Sequence, residues 1–143
     1  MTLHLIKLCV GVDSVTQLRD SIESRLQDRR RRGVPVEQIH VTRMMPKRSD
    51  EILQGGSLYW VIKGAVQARQ KILELRALSD TDGLKRCGIV LEPVLHPVRP
   101  VARKAFQGWR YLDAESAPAD LSQHIDDDVP PELMAQLVSL GLV

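Results

Sequence analysis

Residues 65–78 read AVQARQKILELRAL, and the period assigned to this stretch decides the fold. Ala65, Ala68, Ile72 and Leu75 recur at intervals of three and four, with Val66 and Leu73 beside them. That is the spacing of one face of an α-helix. Gly64 precedes the stretch and the turn cluster Ser79-Asp80-Thr81-Asp82-Gly83 follows it, so the pattern predicts a helix set between two strands. The strand before it is Ser57 to Lys63, SLYWVIK, rich in β-branched and aromatic types and bracketed by glycines.

Working outward, Gln38 to Met44 (QIHVTRM) alternates as a strand that Pro46 ends, and Ser49 to Leu53 forms one helical turn. Earlier still, LHLIKLCV at 3–10 reads as a buried strand. Ser14 and Gln17 match a capping box. Val15, Leu18, Ile22 and Leu26 then make one apolar helical stripe, Arg29 to Arg32 suit the negative end of the helix dipole, and Gly33 and Pro35 stop the helix. Downstream, RCGIVLEPVLHPV at 86–98 is a strand broken or edge-placed at Pro93. Arg99 to Lys104 is extended and basic, FQGWRYL at 106–112 is a short strand, and a last helix starts at Pro130 with Leu133, Met134, Leu137 and Val138 on its apolar face. The expectation is an α+β fold: a single compact domain with a mixed or strongly bent five-stranded sheet, two main helices and a C-terminal helix. Open sheet and barrel both remain open.

At 143 residues, with 43% hydrophobic and 27% charged residues, the chain has the size and balance of one globular domain. Its apolar runs fall far short of the ~20 residues that span a bilayer, and the N-terminus lacks the basic and long apolar regions of a signal peptide. A cytoplasmic location with no membrane partner is the expectation. Cys9 and Cys87 lie apart in strand-like runs and read as buried free thiols. The net charge of +2 conceals a division, with +9 up to Arg110 and −7 from Tyr111 onward. Residues 1–112 therefore form a basic body, and 113–143 an acidic tail of the same domain. Such asymmetry points to an anionic partner, or to a tail that neutralises the body.

All five aromatic residues lie in two segments. In GGSLYWVIKG (55–64), strand alternation sends Leu58, Trp60 and Ile62 to the core and leaves Tyr59, Val61 and Lys63 as the candidate working face. In RKAFQGWRYL (103–112), Phe106, Trp109 and Tyr111 interleave with Arg103, Lys104 and Arg110, and Gly108 lets the backbone approach closely. Aromatic faces stack on bases while adjacent cations hold phosphates. A third set, Arg43, Lys47 and Arg48, would border the Tyr59–Lys63 face if the second and third strands pair. The bland alternatives are core packing for the rings and solvated loops for the charges. The candidate ligand or nucleic-acid contacts are Arg43, Lys47, Arg48, Tyr59, Lys63, Arg103, Trp109, Arg110 and Tyr111. No catalytic motif stands out: the four histidines are scattered and read as structural, GGSLY lacks a nucleophile elbow, and no phosphate-loop, metal-ligand or cofactor spacing is present. The Asp126–Asp128 run lacks a calcium-loop spacing.

Three separated stretches carry a resemblance: HLIKLCVGVDSV (4–15), TRMMPKRSDEILQGGSLYWVIKGAVQARQKIL (42–73), and FQGWRYL (106–112) followed by APADL (117–121). Together they resemble the bacterial domain-of-unknown-function family 1489, which implies a cytoplasmic bacterial protein without an established activity. A looser similarity is to the small RNA-binding barrels called PUA-like, at the level of fold alone. Three functions follow as expectations. The first is a binding module for single-stranded nucleic acid, above all RNA, or for a nucleotide-like ligand. The second is a small-molecule enzyme in which Lys63, Arg110 or His96 converge in one pocket. The third is an interaction protein that docks through its acidic tail.

Overall fold

A computed structural model describes residues 2–121. Its elements run β1 (Leu3–Leu8), α1 (Val15–Arg32), β2 (Gln38–Thr42), α2 (Ser49–Ile52), β3 (Ser57–Ile62), β4 (Ala65–Ser79), β5 (Lys85–Leu91), β6 (His96–Ala102) and β7 (Trp109–Asp113), with a 3-10 turn at Ala114–Ser116. The expected helix from Pro130 and the Asp126–Asp128 run lie outside the described residues.

Ala65–Ser79 is a single strand of 15 residues, not a helix. This overturns the expected five strands with two main helices: the described residues form a mixed seven-stranded sheet with one long helix and the single turn of α2. The reason lies in two irregularities of β4, where register shifts fall between Val66 and Ala68 and between Ile72 and Glu74. Each β-bulge inserts a residue and so converts one step of two into a step of three. Ala65 lies opposite Ile62, Ala68 opposite Trp60, and Leu75 opposite Ile89. Ala65, Ala68, Ile72 and Leu75 thus share the core face of a bulged strand at the same spacings that a helix would give them.

The sheet order is β2-β5-β4-β3-β1-β7, with β6 also paired to β4. β1 and β3 are parallel, and the other pairs are antiparallel. β5 and β6 follow β4 one after the other, separated by Glu92 to Leu95, so the proline-bearing run is a strand interrupted as expected around Pro93. At the β3–β4 hairpin, Lys63 and Gly64 both have positive φ (48° and 78°), which a two-residue type I′ turn requires.

α1 forms as its sequence dictates. The Ser14 side chain accepts from the Gln17 N–H at 3.1 Å, while the Gln17 side chain accepts from the Asp13 N–H at 2.7 Å. Gly33 adopts a left-handed conformation (φ 70°), and the Val34 N–H returns to the Arg29 carbonyl. The buried residues of α1 are Val15, Leu18, Ile22 and Leu26. They join Leu5, Leu58, Trp60, Ile62, Ile72 and Ile89 in the main core. The opposite face of the sheet is also covered: Ile6, Tyr59, Val61, Val66, Val98 and Leu112 form a second cluster, with Phe106 and Ala117 packed on it. The segment after β7 lies across this face, held by the Val98–Asp120 bridge and by a bidentate pair from Arg69 to Asp120 (2.8 and 2.7 Å).

A polar network ties the main core together. Gln70, fully buried, accepts from the Trp60 indole N–H at 3.0 Å and donates to Gln38 at 2.6 Å and to the Glu92 carbonyl at 3.1 Å. Three strands and the link after β5 are thereby fixed to one side chain.

Candidate functional site

β2 and β7 are the two ends of the strand order, yet they meet through one loop. The segment after β2 crosses to β7, where the Trp109 indole N–H donates to the Met44 carbonyl at 2.9 Å. The Tyr111 hydroxyl accepts the backbone N–H groups of Lys47 (3.0 Å) and Arg48 (3.2 Å). The two rings meet edge to face at 5.0 Å, and the Arg48 guanidinium lies 5.4 Å from the Tyr111 ring centre. Sequence-distant candidates are thus joined: the basic loop of Arg43, Lys47 and Arg48 is stapled to the aromatic segment. β2 pairs with β5 rather than with β3, so this loop does not border the Tyr59–Lys63 strand.

Beside the staple opens a cleft of about 730 Å³, lined by Lys7, Val41, Thr42, Arg43, Met44, Arg86, Gln107, Gly108 and Trp109. Lys7 and Trp109 are register partners across β1 and β7, and therefore project from the same face. Among the described residues, three of the lining side chains are cationic and none is Asp or Glu. Arg86 shares its charge with Asp80 at 3.4 Å. Val41 and Met44 add exposed apolar surface at the rim.

The positive field reaches below the cleft. Burial, aided by the charges of Lys7 and Arg25, holds His40 down to about 4, so its imidazole is neutral at physiological pH. Its Nε2 is buried without a hydrogen-bond partner among the described residues, while its ring packs edge-on against Trp60 at 5.1 Å. His4 fits the structural role expected of it, its Nδ1 accepting the Ser57 N–H at 2.9 Å. Burial pushes the Cys9 thiol up to about 11 despite Arg25 and Lys7 nearby, so it is not an activated nucleophile. Both cysteines are free; Cys87 is buried and Cys9 half-buried.

The other nominated residues divide. Tyr59 is only 4% exposed and belongs to the second core cluster, which removes it from any working face. Every residue of β3 is buried, because β1 and β4 flank it and both faces of the sheet are covered. Lys63 is a turn residue at the hairpin tip. The Arg103 N–H donates to the Gly64 carbonyl beside it at 2.8 Å. Arg103 and Arg110 both lie over the Phe106 ring, at 5.3 and 5.0 Å from its centre. This second basic cluster sits on the other side of the sheet from the cleft, since Arg110 pairs in register with Ile6 rather than with Lys7. His96 starts β6, opposite Arg69, whereas Lys63 and Gly64 lie by the far end of that strand. The trio Lys63, Arg110 and His96 is therefore not gathered into one pocket.

Lys7 and Arg86 escaped the sequence reading. The available signal was a lysine inside an otherwise apolar strand, in step with Leu3 and Leu5 on the core-facing side, where a cation belongs only if it reaches an opening.

The family model described as Protein of unknown function (DUF1489) matches residues 5–143 of the chain. No curated protein and no solved structure matches it. Among the described residues, no helix is long and apolar enough to cross a membrane.

Proposed function

The chain belongs to the DUF1489 family, whose description assigns no activity, and we propose that it is a binding module whose cleft takes a nucleotide-like anion. One observation carries the reading: among the described residues, Lys7, Arg43 and Arg86 line the cleft together with the Trp109 indole, and no carboxylate does. Cations of this kind hold phosphate oxygens, while an indole supplies a stacking surface worth ~1–3 kcal/mol per base. The volume of about 730 Å³ falls in the ordinary range for a small-ligand site. Single-stranded RNA, the polymer favoured here, offers such a nucleotide with its base unpaired, as single-stranded DNA also does.

Trp60 is buried at 4% exposure, so a ligand in the cleft acts mainly on Trp109 emission. Titration with uridine monophosphate and with mixed single-stranded oligonucleotides is expected to quench that emission. Affinity for the oligonucleotides should fall with salt at a logarithmic slope of roughly −2, for three neutralised phosphates. Absence of binding at every salt concentration removes the reading.

A further inference from the structure

α1 packs beside β2, whose last residues line the cleft, and the helix carries a second groove lined by Arg25, Arg29, Arg31 and Arg32 with Ser24 and Asp28. Arg25, Arg29 and Arg32 stand at i, i+4 and i+7, which puts them along one side of the helix. That side borders the buried stripe formed by Leu18, Ile22 and Leu26. Arg25 of this groove and Lys7 of the cleft both lie near enough to Cys9 and His40 for their charges to act on them. At 1.5 Å per residue, Arg25 to Arg32 presents about 10 Å of basic surface along the helix. Among the described residues lining the groove, the one carboxylate, Asp28, is occupied by Arg32 at 3.0 Å, and Arg29 donates one of its N–H groups to the Pro35 carbonyl at 2.7 Å. Arg25 and Arg31 make no ion pair among the described residues.

We infer that the ligand is an extended single strand rather than a mononucleotide, with one base at Trp109 and successive phosphates tracking from Lys7 along Arg25 and Arg29 of α1. This rests on the cleft reading and adds a direction to it. A mononucleotide would leave the helix arginines without a role in binding; a strand several nucleotides long spans both grooves, within the usual reach of single-strand binding sites. The run Arg29 to Arg32 thereby gains a role beyond matching the helix dipole.

The test compares fluorescein-labelled uridylyl dinucleotide and oligouridylate dodecamer by anisotropy, on the wild-type chain, on Arg25→Gln/Arg29→Gln, and on Lys7→Gln. Glutamine keeps helix propensity, and far-UV circular dichroism checks that α1 persists. The expected result is that the dodecamer binds more tightly than the dinucleotide. The double variant should lose roughly tenfold for the dodecamer while staying within about twofold for the dinucleotide, and Lys7→Gln should weaken both. Equal affinity for the two lengths, or equal loss of both in the double variant, overturns the strand assignment while leaving the cleft reading intact. Equal affinity for polyphosphate of matched charge also overturns it, since polyphosphate gives Trp109 no base to stack on. No binding of any oligonucleotide overturns both.

Discussion

Replacing Gln70 by leucine tests the architecture at its least forgiving point. The side chain is fully buried, and leucine keeps a similar volume while removing every polar atom. Three partners then lose their bonds: the buried Trp60 indole N–H, the buried Gln38 amide and the half-buried Glu92 carbonyl. Each unsatisfied buried group costs ~1–3 kcal/mol, and the extra apolar burial returns only about 1 kcal/mol. The expected net loss is about 3 kcal/mol. Urea unfolding followed by circular dichroism reads it directly; with a slope of about 1.5 kcal/mol/M, the midpoint falls by about 2 M. Gln67 is the control. It occupies the bulge and makes one hydrogen bond, to the Ile62 carbonyl at 2.6 Å, so Gln67→Leu should cost about 1 kcal/mol. A Gln70→Leu midpoint within about 0.3 M of wild type would mean that β4 does not carry Gln70 into this network, and the strand assignment for residues 65–79 would fall with it.

Gly56→Ala is expected to destabilise severely or to leave no soluble protein. A Cβ there would press on the backbone carbonyl oxygens of Leu3 and Ile52, neither of which can swing aside; expression and thermal melting give the answer. Gly55→Ala meets no atom and carries only left-handed strain (φ 97°), costing about 1–2 kcal/mol. His40 should titrate near 4 by nuclear magnetic resonance. Its folded value lies below the ordinary 6.5, so the unfolded chain takes up the proton first. Its contribution is intact above pH 6.5 and is lost as pH falls toward 4, a decline that His40→Phe should lessen in urea midpoints, with the likewise lowered His4 supplying a remainder. Asp120→Asn removes the bidentate partner of the partly buried Arg69. The expected cost is about 1 kcal/mol after solvent screening, with faster amide exchange at Arg99, whose N–H bonds the Ala119 carbonyl.

The sequence and the structure agree where local signals are self-sufficient. The cap at Ser14, the stripe from Val15 to Leu26 and the stop at Gly33 need no tertiary partner to be recognised, and all are found. Residues 65–78 fail for a specific reason. Two bulges restored to a strand the three-and-four spacing that marks a helix, and residues such as Ala, Gln, Leu and Lys have high helix propensity; pairing on both edges of β4 overrides it. Tyr59 was misplaced by a related assumption, that one face of its strand meets solvent. β3 lies centrally and is covered twice, so alternation separates two cores rather than core from surface. In the site itself, Arg43 and Trp109 were legible as a basic residue and a rare aromatic. Their adjacency was not, because it depends on the sheet curling until the loop after β2 reaches β7. Lys7 and Arg86 sit in strands whose neighbours are buried, and only the position of the opening gives them a role.

The proposed function places ligand at the Lys7–Trp109 cleft and not at the other basic aromatic cluster, where Arg103 and Arg110 flank Phe106. Amide and indole chemical-shift mapping with an unlabelled oligouridylate tetramer separates the two sides of the sheet in one experiment. The expected shifts fall on Lys7, Met44, Gly108 and the Trp109 indole N–H, with Arg103, Phe106 and Arg110 unmoved. Shifts confined to Arg103, Phe106 and Arg110, or none at all, would contradict the assignment.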